Sequence, residues 1–123
     1  MSNAAAEAVR PMSTEELLRN HIRGAILGLD AVMEDYTNQS VLMTHHATYR
    51  GRAEIRVFWT ALLESLPPGF FETMKMRRQE VDGEFAYIVW DREPIISRAT
   101  DTFVVRDGKI VAQSFAGKIT PKR

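Results

Sequence analysis

The chain has 123 residues, room for one domain and not for two. Sixteen basic residues balance sixteen acidic ones, so no positive excess exists to hold a phosphate backbone, and nucleic acid is not an expected partner. Cysteine is absent, which excludes a disulfide scaffold, a thiolate metal site and a thiol nucleophile. A 45% hydrophobic and 26% charged composition is that of a folded domain with a real core.

Residues 1–12 are Ala-rich and lack the apolar stretch of a signal sequence, so they are expected to be a flexible leader or a tag-derived segment. A single domain is expected over 13–123. No uncharged apolar run approaches the roughly 18 residues of a membrane span. A cytoplasmic protein with no membrane contact is therefore expected.

Ser13 followed by Glu16 is a capping-box signature for a first helix. Its buried face is expected to be Leu18, Ile22, Ala25, Ile26 and Leu29. Gly28 ends or kinks it, and Asp30 then caps a short second helix with Val32, Met33 and Tyr36 inward. Asn38-Gln39-Ser40 is expected to break that helix. Val41 to His46 is expected to be a short strand, with a second extended piece over Ala47 to Arg50.

Gly51 opens the strongest helical pattern, in which Ile55, Phe58, Trp59, Leu62, Leu63 and Leu66 recur until Pro67-Pro68-Gly69 stops it. Four long strands follow: Phe70 to Val81, Glu84 to Asp91, Ile96 to Arg106 and Lys109 to Ile119. Asp82-Gly83 and Asp107-Gly108 mark hairpin turns between them. Helices placed ahead of an antiparallel sheet give an α+β class. Strand twist should curl the sheet around the helices and enclose a pocket.

Asp101 is the most informative residue. Alternation puts it on one face with Ser97, Ala99, Phe103 and Val105, the small and apolar set that should point inward. A desolvated carboxyl gains proton affinity and suits acid–base work. Pairing as a purely structural buried acid is the competing role. His45-His46 closes the first expected strand, and His46 near a pocket mouth is a candidate base. No HxH or HExxH spacing is present, so no metal site and no other cofactor is expected. Phe85, Tyr87 and Val89 alternate with Ala86, Ile88 and Trp90, making both faces of one strand apolar. The extra face calls for a cover, and a homodimer packed through the outer sheet face would supply it.

Asp35-Tyr36, Val41-Leu42-Met43-Thr44, Thr48-Tyr49-Arg50-Gly51-Arg52-Ala53-Glu54-Ile55 and the stretch from Thr100 to Ile110 together resemble the nuclear transport factor 2-like superfamily. The nearest flavour is its SnoaL-like and ketosteroid isomerase-like members, over about residues 13–119. The resemblance implies a cone of three N-terminal helices packed in a strongly curved, mainly antiparallel sheet, usually as a dimer. Asp101 then falls on the late-sheet acid that donates a hydrogen bond in the isomerases. Their base position falls on Thr44, their tyrosine donor on or near Asn20, and an aromatic behind the donor network on Trp59. Thr44 cannot take a proton, which leaves His46 as the substitute base.

The ligand-contacting set that follows is Asn20, Thr44, Trp59, Ala99, Phe103 and Phe115, around the catalytic candidates Asp101 and His46. The expected ligand is a small hydrophobic carbonyl compound, handled by isomerase-, cyclase- or hydrolase-type acid–base chemistry. A non-catalytic ligand-binding or dimerisation module of the same fold is the alternative. The missing carboxylate at Thr44 favours that alternative, and Asp101 on the inner face favours chemistry.

Overall fold

A computed structural model describes residues 10–120, so residues 1–9 of the expected leader lie outside the described part. Three helices precede most of the sheet: α1 (Thr14–Leu27), α2 (Leu29–Met33) and α3 (Gly51–Ser65). The strands are β1 (Tyr36–Met43), β2 (Thr48–Arg50), β3 (Lys75–Asp82), β4 (Phe85–Arg92), β5 (Ile96–Arg106) and β6 (Lys109–Ile119). They form one six-stranded sheet in the order β2-β1-β6-β5-β4-β3. Every neighbouring pair is antiparallel except β1 with β6. This is the expected α+β cone, with the helices held in the curl of a mainly antiparallel sheet.

Local chemistry sets the boundaries. Ser13 Oγ accepts from Glu16 N at 3.1 Å while the Glu16 carboxylate accepts from Ser13 N at 2.8 Å, so the capping box forms at the start of α1. Gly24 lets α2 approach closely, because a Cβ there would lie 3.1 Å from the Val32 backbone. Gly28 turns the chain between the helices at φ +127°, a conformation that side chains resist. Pro11 and Met12 rest against the β5–β6 turn at Gly108. Thr14 Oγ1 donates to Gly83 O at 2.7 Å, tying α1 to the β3–β4 turn.

Several expected boundaries move. Residue 36 opens β1 instead of closing the second helix, and Asn38–Ser40 lies inside that strand, across a register shift between Tyr36 and Val41. The Ser40 hydroxyl donates to Ile110 O and accepts from Thr37 N, so a polar side chain carries the pairing across the irregularity. β1 ends at Met43, not His46, because Thr44 Oγ1 accepts from the His46 and Ala47 amides and closes a turn. The expected strand from Phe70 starts only at Lys75. A 3₁₀ turn over Phe71–Thr73 comes first, with Thr73 Oγ1 donating toward the Gly69 and Phe70 carbonyls.

The inner sheet face and the helices share one core, in which Leu17, Val32, Tyr36, Leu42, Ile55, Phe103 and Ile110 are almost fully enclosed. On β4 the inward set is Ala86, Ile88 and Trp90, whereas Phe85 is 59% exposed on the other side. Among the described residues no helix is long and apolar enough to cross a membrane.

Candidate functional site

A cavity of about 50 Å³ lies between α1, α3 and the inner face of β4, β5 and β6. Its walls are chiefly apolar: Ile22 and Ala25 from α1, Phe58, Trp59 and Leu62 from α3, and Trp90, Phe103 and Phe115 from the sheet. Three polar side chains reach it, His21, Asp101 and Gln113, and all three are buried.

Strand register assembles the sheet side. Asp101 pairs with Ile88 of β4 and Phe115 of β6, while Phe103 pairs with Gln113. Alternation then places Asp101, Phe103, Gln113, Phe115 and Trp90 on the same inner face. Asp101 is 6% exposed. Its Oδ1 accepts from Trp90 Nε1 at 2.9 Å and its Oδ2 from Gln113 Nε2 at 3.0 Å.

The direction of this network is set by its far end. An indole N–H can only donate, so Trp59 Nε1 donates a hydrogen bond to the Tyr36 hydroxyl at 3.0 Å. Tyr36 in turn donates to Gln113 Oε1 at 2.6 Å. The Gln113 amide nitrogen is thereby turned toward Asp101. Burial drives the Tyr36 phenol well above its usual range, against the Trp59 hydrogen bond, so it stays a neutral donor.

Both oxygens of Asp101 therefore accept from neutral donors, and among the described residues no cation is bonded to it. Burial raises its proton affinity above that of an ordinary aspartate, while the Trp90 and Gln113 bonds, and His21 whenever it is protonated, act in the opposite direction. A raised folded-state value has a definite sign. Between the unfolded value near 4 and the folded one, the native state binds the proton more tightly, so stability falls as pH rises through that window. In urea unfolding at successive pH values, wild type should lose stability relative to Asp101→Asn across this window. Above it the two curves should run parallel.

The second polar element was not expected from sequence. α1 buries Leu17, Leu18, His21, Gly24 and Ala25, and Ile26 is 40% exposed. The buried stripe is rotated from the expected one, and it carries His21 inward at 5% exposure. His21 Nδ1 lies 3.0 Å from Asp35 Oδ2, and Asn20 Nδ2 donates to Asp35 Oδ1 at 3.0 Å. Asp35, 1% exposed, sits where α2 gives way to β1. There its own carbonyl accepts from Ile110 N, and Arg52 Nη1 donates to the flanking Met33 and Tyr36 carbonyls.

The structure thus brings together Asp101, Trp59, Phe103 and Phe115 of the expected set. Asn20 stands behind the cavity on Asp35, and Ala99 is buried beneath Gly117 instead of lining the space. Thr44 and His46 belong to the β1–β2 turn, where His46 is exposed and its ring lies tilted against that of His45, 4.0 Å between centroids. The turn at Thr44 directs them away from the cavity, so His46 is not positioned as its base. Among the described residues no cluster of three or more His, Asp or Glu has the geometry to hold a metal ion.

Residues 25–113 match the family model for the SnoaL-like domain. Among curated proteins none matches the sequence. Many solved structures share the fold. An NTF2-like protein of unknown function from Mesorhizobium loti is 23% identical with TM-score 0.68, over 85% of this chain and 90% of that one. A Sinorhizobium meliloti protein provisionally assigned as a polyketide cyclase is 19% identical with TM-score 0.67, over 80% and 92%. A Catenulispora acidiphila protein of ketosteroid isomerase-like fold, solved with trimethylamine, is 11% identical with TM-score 0.65, over 81% and 83%. The helix-filled cone is the nuclear transport factor 2-like fold, and by the extent of the family match the chain belongs to the SnoaL-like domain family.

Proposed function

We propose that this protein binds a small, largely apolar carbonyl compound in the cavity and performs isomerase-, cyclase- or hydrolase-type acid–base chemistry on it. The observation that carries the reading is Asp101, a buried carboxyl of raised proton affinity set into an otherwise aromatic and aliphatic wall. In its protonated form it donates a hydrogen bond to the ligand's oxygen as negative charge develops there, in a site where that bond is strong. Trp59, Phe103 and Phe115 supply the flat apolar contacts. At about 50 Å³ the cavity is smaller than the roughly 150 Å³ space that takes up benzene, so even a one-ring ligand would enter by displacing side chains of its wall. A steroid-sized ligand would require the half-buried Phe58, Phe71, Met74 and Phe115 to move aside.

A specific feature favours a second, non-catalytic reading. An Asp101 carboxylate bonded only by neutral groups and surrounded by aromatic faces is also a receptor for a small alkylammonium ion. The trimethylamine held by the Catenulispora neighbour lends that reading support. For assembly, the proposal is a homodimer through the outer sheet face, supported by the outward Phe85, Tyr87, Val89 and Val104. A cytoplasmic location belongs to the same proposal.

Thermal unfolding with cyclopentanone, 2-cyclohexenone and acetophenone tests the ligand class. At 100 times its dissociation constant a bound ketone should stabilise wild type by about 2.7 kcal/mol, several degrees in a domain of this size. The shift should shrink sharply in Asp101→Asn. Stabilisation by tetramethylammonium and by none of the ketones would replace the first reading with the second.

A further inference from the structure

Acid–base chemistry at Asp101 needs a second group to take a proton, and His46 is not placed to do so. We propose that His21, held in place by Asp35, is the general base of the cavity; the assignment builds on the proposed acid–base function. Four observations converge on it.

First, the Asp35 carboxylate already accepts from Asn20, so it faces His21 as a second acceptor position. Imidazole is the stronger base of the two group types, so the shared proton belongs on Nδ1. Neutral His21 is thus the Nδ1–H tautomer, and its lone pair is on Nε2.

Second, Nε2 is open. Every fully enclosed side-chain nitrogen and oxygen among the described residues has a hydrogen-bond partner, yet only Nδ1 of His21 makes a bond. Nε2 is therefore not sealed in protein, and the space that His21 lines is the cavity.

Third, the ring cannot swing freely. Tyr36, Trp59 and Phe103 pack edge-to-face around it at centroid distances of 5.7, 5.8 and 5.3 Å. Fourth, the imidazolium formed on proton uptake has a compensating charge already in contact at Asp35, so the cavity does not have to hold an isolated cation.

The step balances within the protein and its ligand. Nε2 takes a proton from the carbon beside the carbonyl, the C–H electron pair becomes a carbon–carbon double bond, and the carbonyl pair moves onto oxygen. That oxygen takes the hydrogen bond from protonated Asp101. The ligand carries a further carbon–carbon double bond next to the deprotonated carbon, so the imidazolium returns the proton to the far end of that bond as the carbonyl re-forms, leaving a double-bond isomer and the original protein. No oxidant, reductant or co-substrate enters. The titratable groups that face His21 are Asp35 at the α2–β1 junction, Tyr36 on β1 and Asp101 on β5.

The test uses nitroethane, a small carbon acid lacking a carbonyl, so its outcome is independent of ketone binding. Proton-to-deuteron exchange at its acidic carbon is followed by NMR in D₂O over a range of pH. Positioned base catalysis is worth about 10²–10⁴-fold. Wild type should accelerate exchange, more so as the imidazole loses its proton, and His21→Gln should lose about 100-fold or more. Long-range ¹⁵N spectra of the ligand-free protein should show the proton of neutral His21 on Nδ1. Asp35→Asn should disturb that tautomer and lower the exchange rate, which a merely structural Asp35 would not do. Equal exchange in wild type and His21→Gln, or a neutral His21 protonated on Nε2, would overturn the assignment. Exchange at His21 with no ketone stabilising the protein would keep the base and discard the carbonyl ligand.

Discussion

Replacing Asp35 with alanine should destabilise the fold by about 3–5 kcal/mol, measured by urea unfolding at neutral pH. Removing a buried acceptor costs about 1–3 kcal/mol for each donor it leaves unsatisfied. Here the effect is compounded: His21 Nδ1 and Asn20 Nδ2 both lose their acceptor in the same stroke. The junction also couples α1 to β1, so little solvent can enter to repair it. Asp35→Asn keeps the shape and one acceptor oxygen, and should cost markedly less. A loss of under about 1 kcal/mol for the alanine variant would show that water reaches this pair.

Phe103→Ala should cost about 3–5 kcal/mol, the range for truncating a buried phenylalanine, since Phe103 is 2% exposed on the inner face of β5. It should also change what the protein binds. Phe103 is a wall of the existing cavity, so its removal extends that space instead of opening an unrelated one. Apolar cavities of this kind stay dry and take up benzene-like molecules. Toluene should therefore raise the melting temperature of Phe103→Ala more than that of wild type. Equal effects in the two proteins would mean that the walls collapse inward on truncation.

Much of this architecture was legible in the residues. The ends of β5 and β6 fall where the Asp107-Gly108 turn and the apolar alternation put them, and Asp101 could be placed on the inner face by period two alone. The failures have specific physical causes. On β5 the alternation slips near its start: Ile96 is buried in place of Ser97 because Arg98, at φ +42°, sits in a bulge opposite β6. A bulge shifts which face a residue takes, and nothing in the local composition announces it.

His21 was hidden by a different effect. Apolar spacing alone favoured a stripe through Ile22 and Ile26, and histidine carried no weight in choosing the face. The stripe Leu17, His21, Gly24, Ala25 has equally good helical spacing, and Gly24 was its signal, since a small residue marks close approach of another element. Asp35 could not be paired with His21 from sequence because they meet only through the turn between α1 and α2. Thr44 and His46 misled for a related reason. They read as the end of a strand, but the Thr44 hydroxyl satisfies the turn amides and ends β1 early.

The most direct test of the central claim, that Asp101 and His21 face a ligand across one apolar cavity, is a crystal structure of the protein with 2-cyclohexenone. The account predicts the ring between Trp59, Phe103 and Phe115, with its oxygen within hydrogen-bond distance of Asp101 and its acidic carbon toward His21 Nε2. An occupied cavity with the oxygen turned away from Asp101, or a ketone bound only on the outer surface, would contradict it.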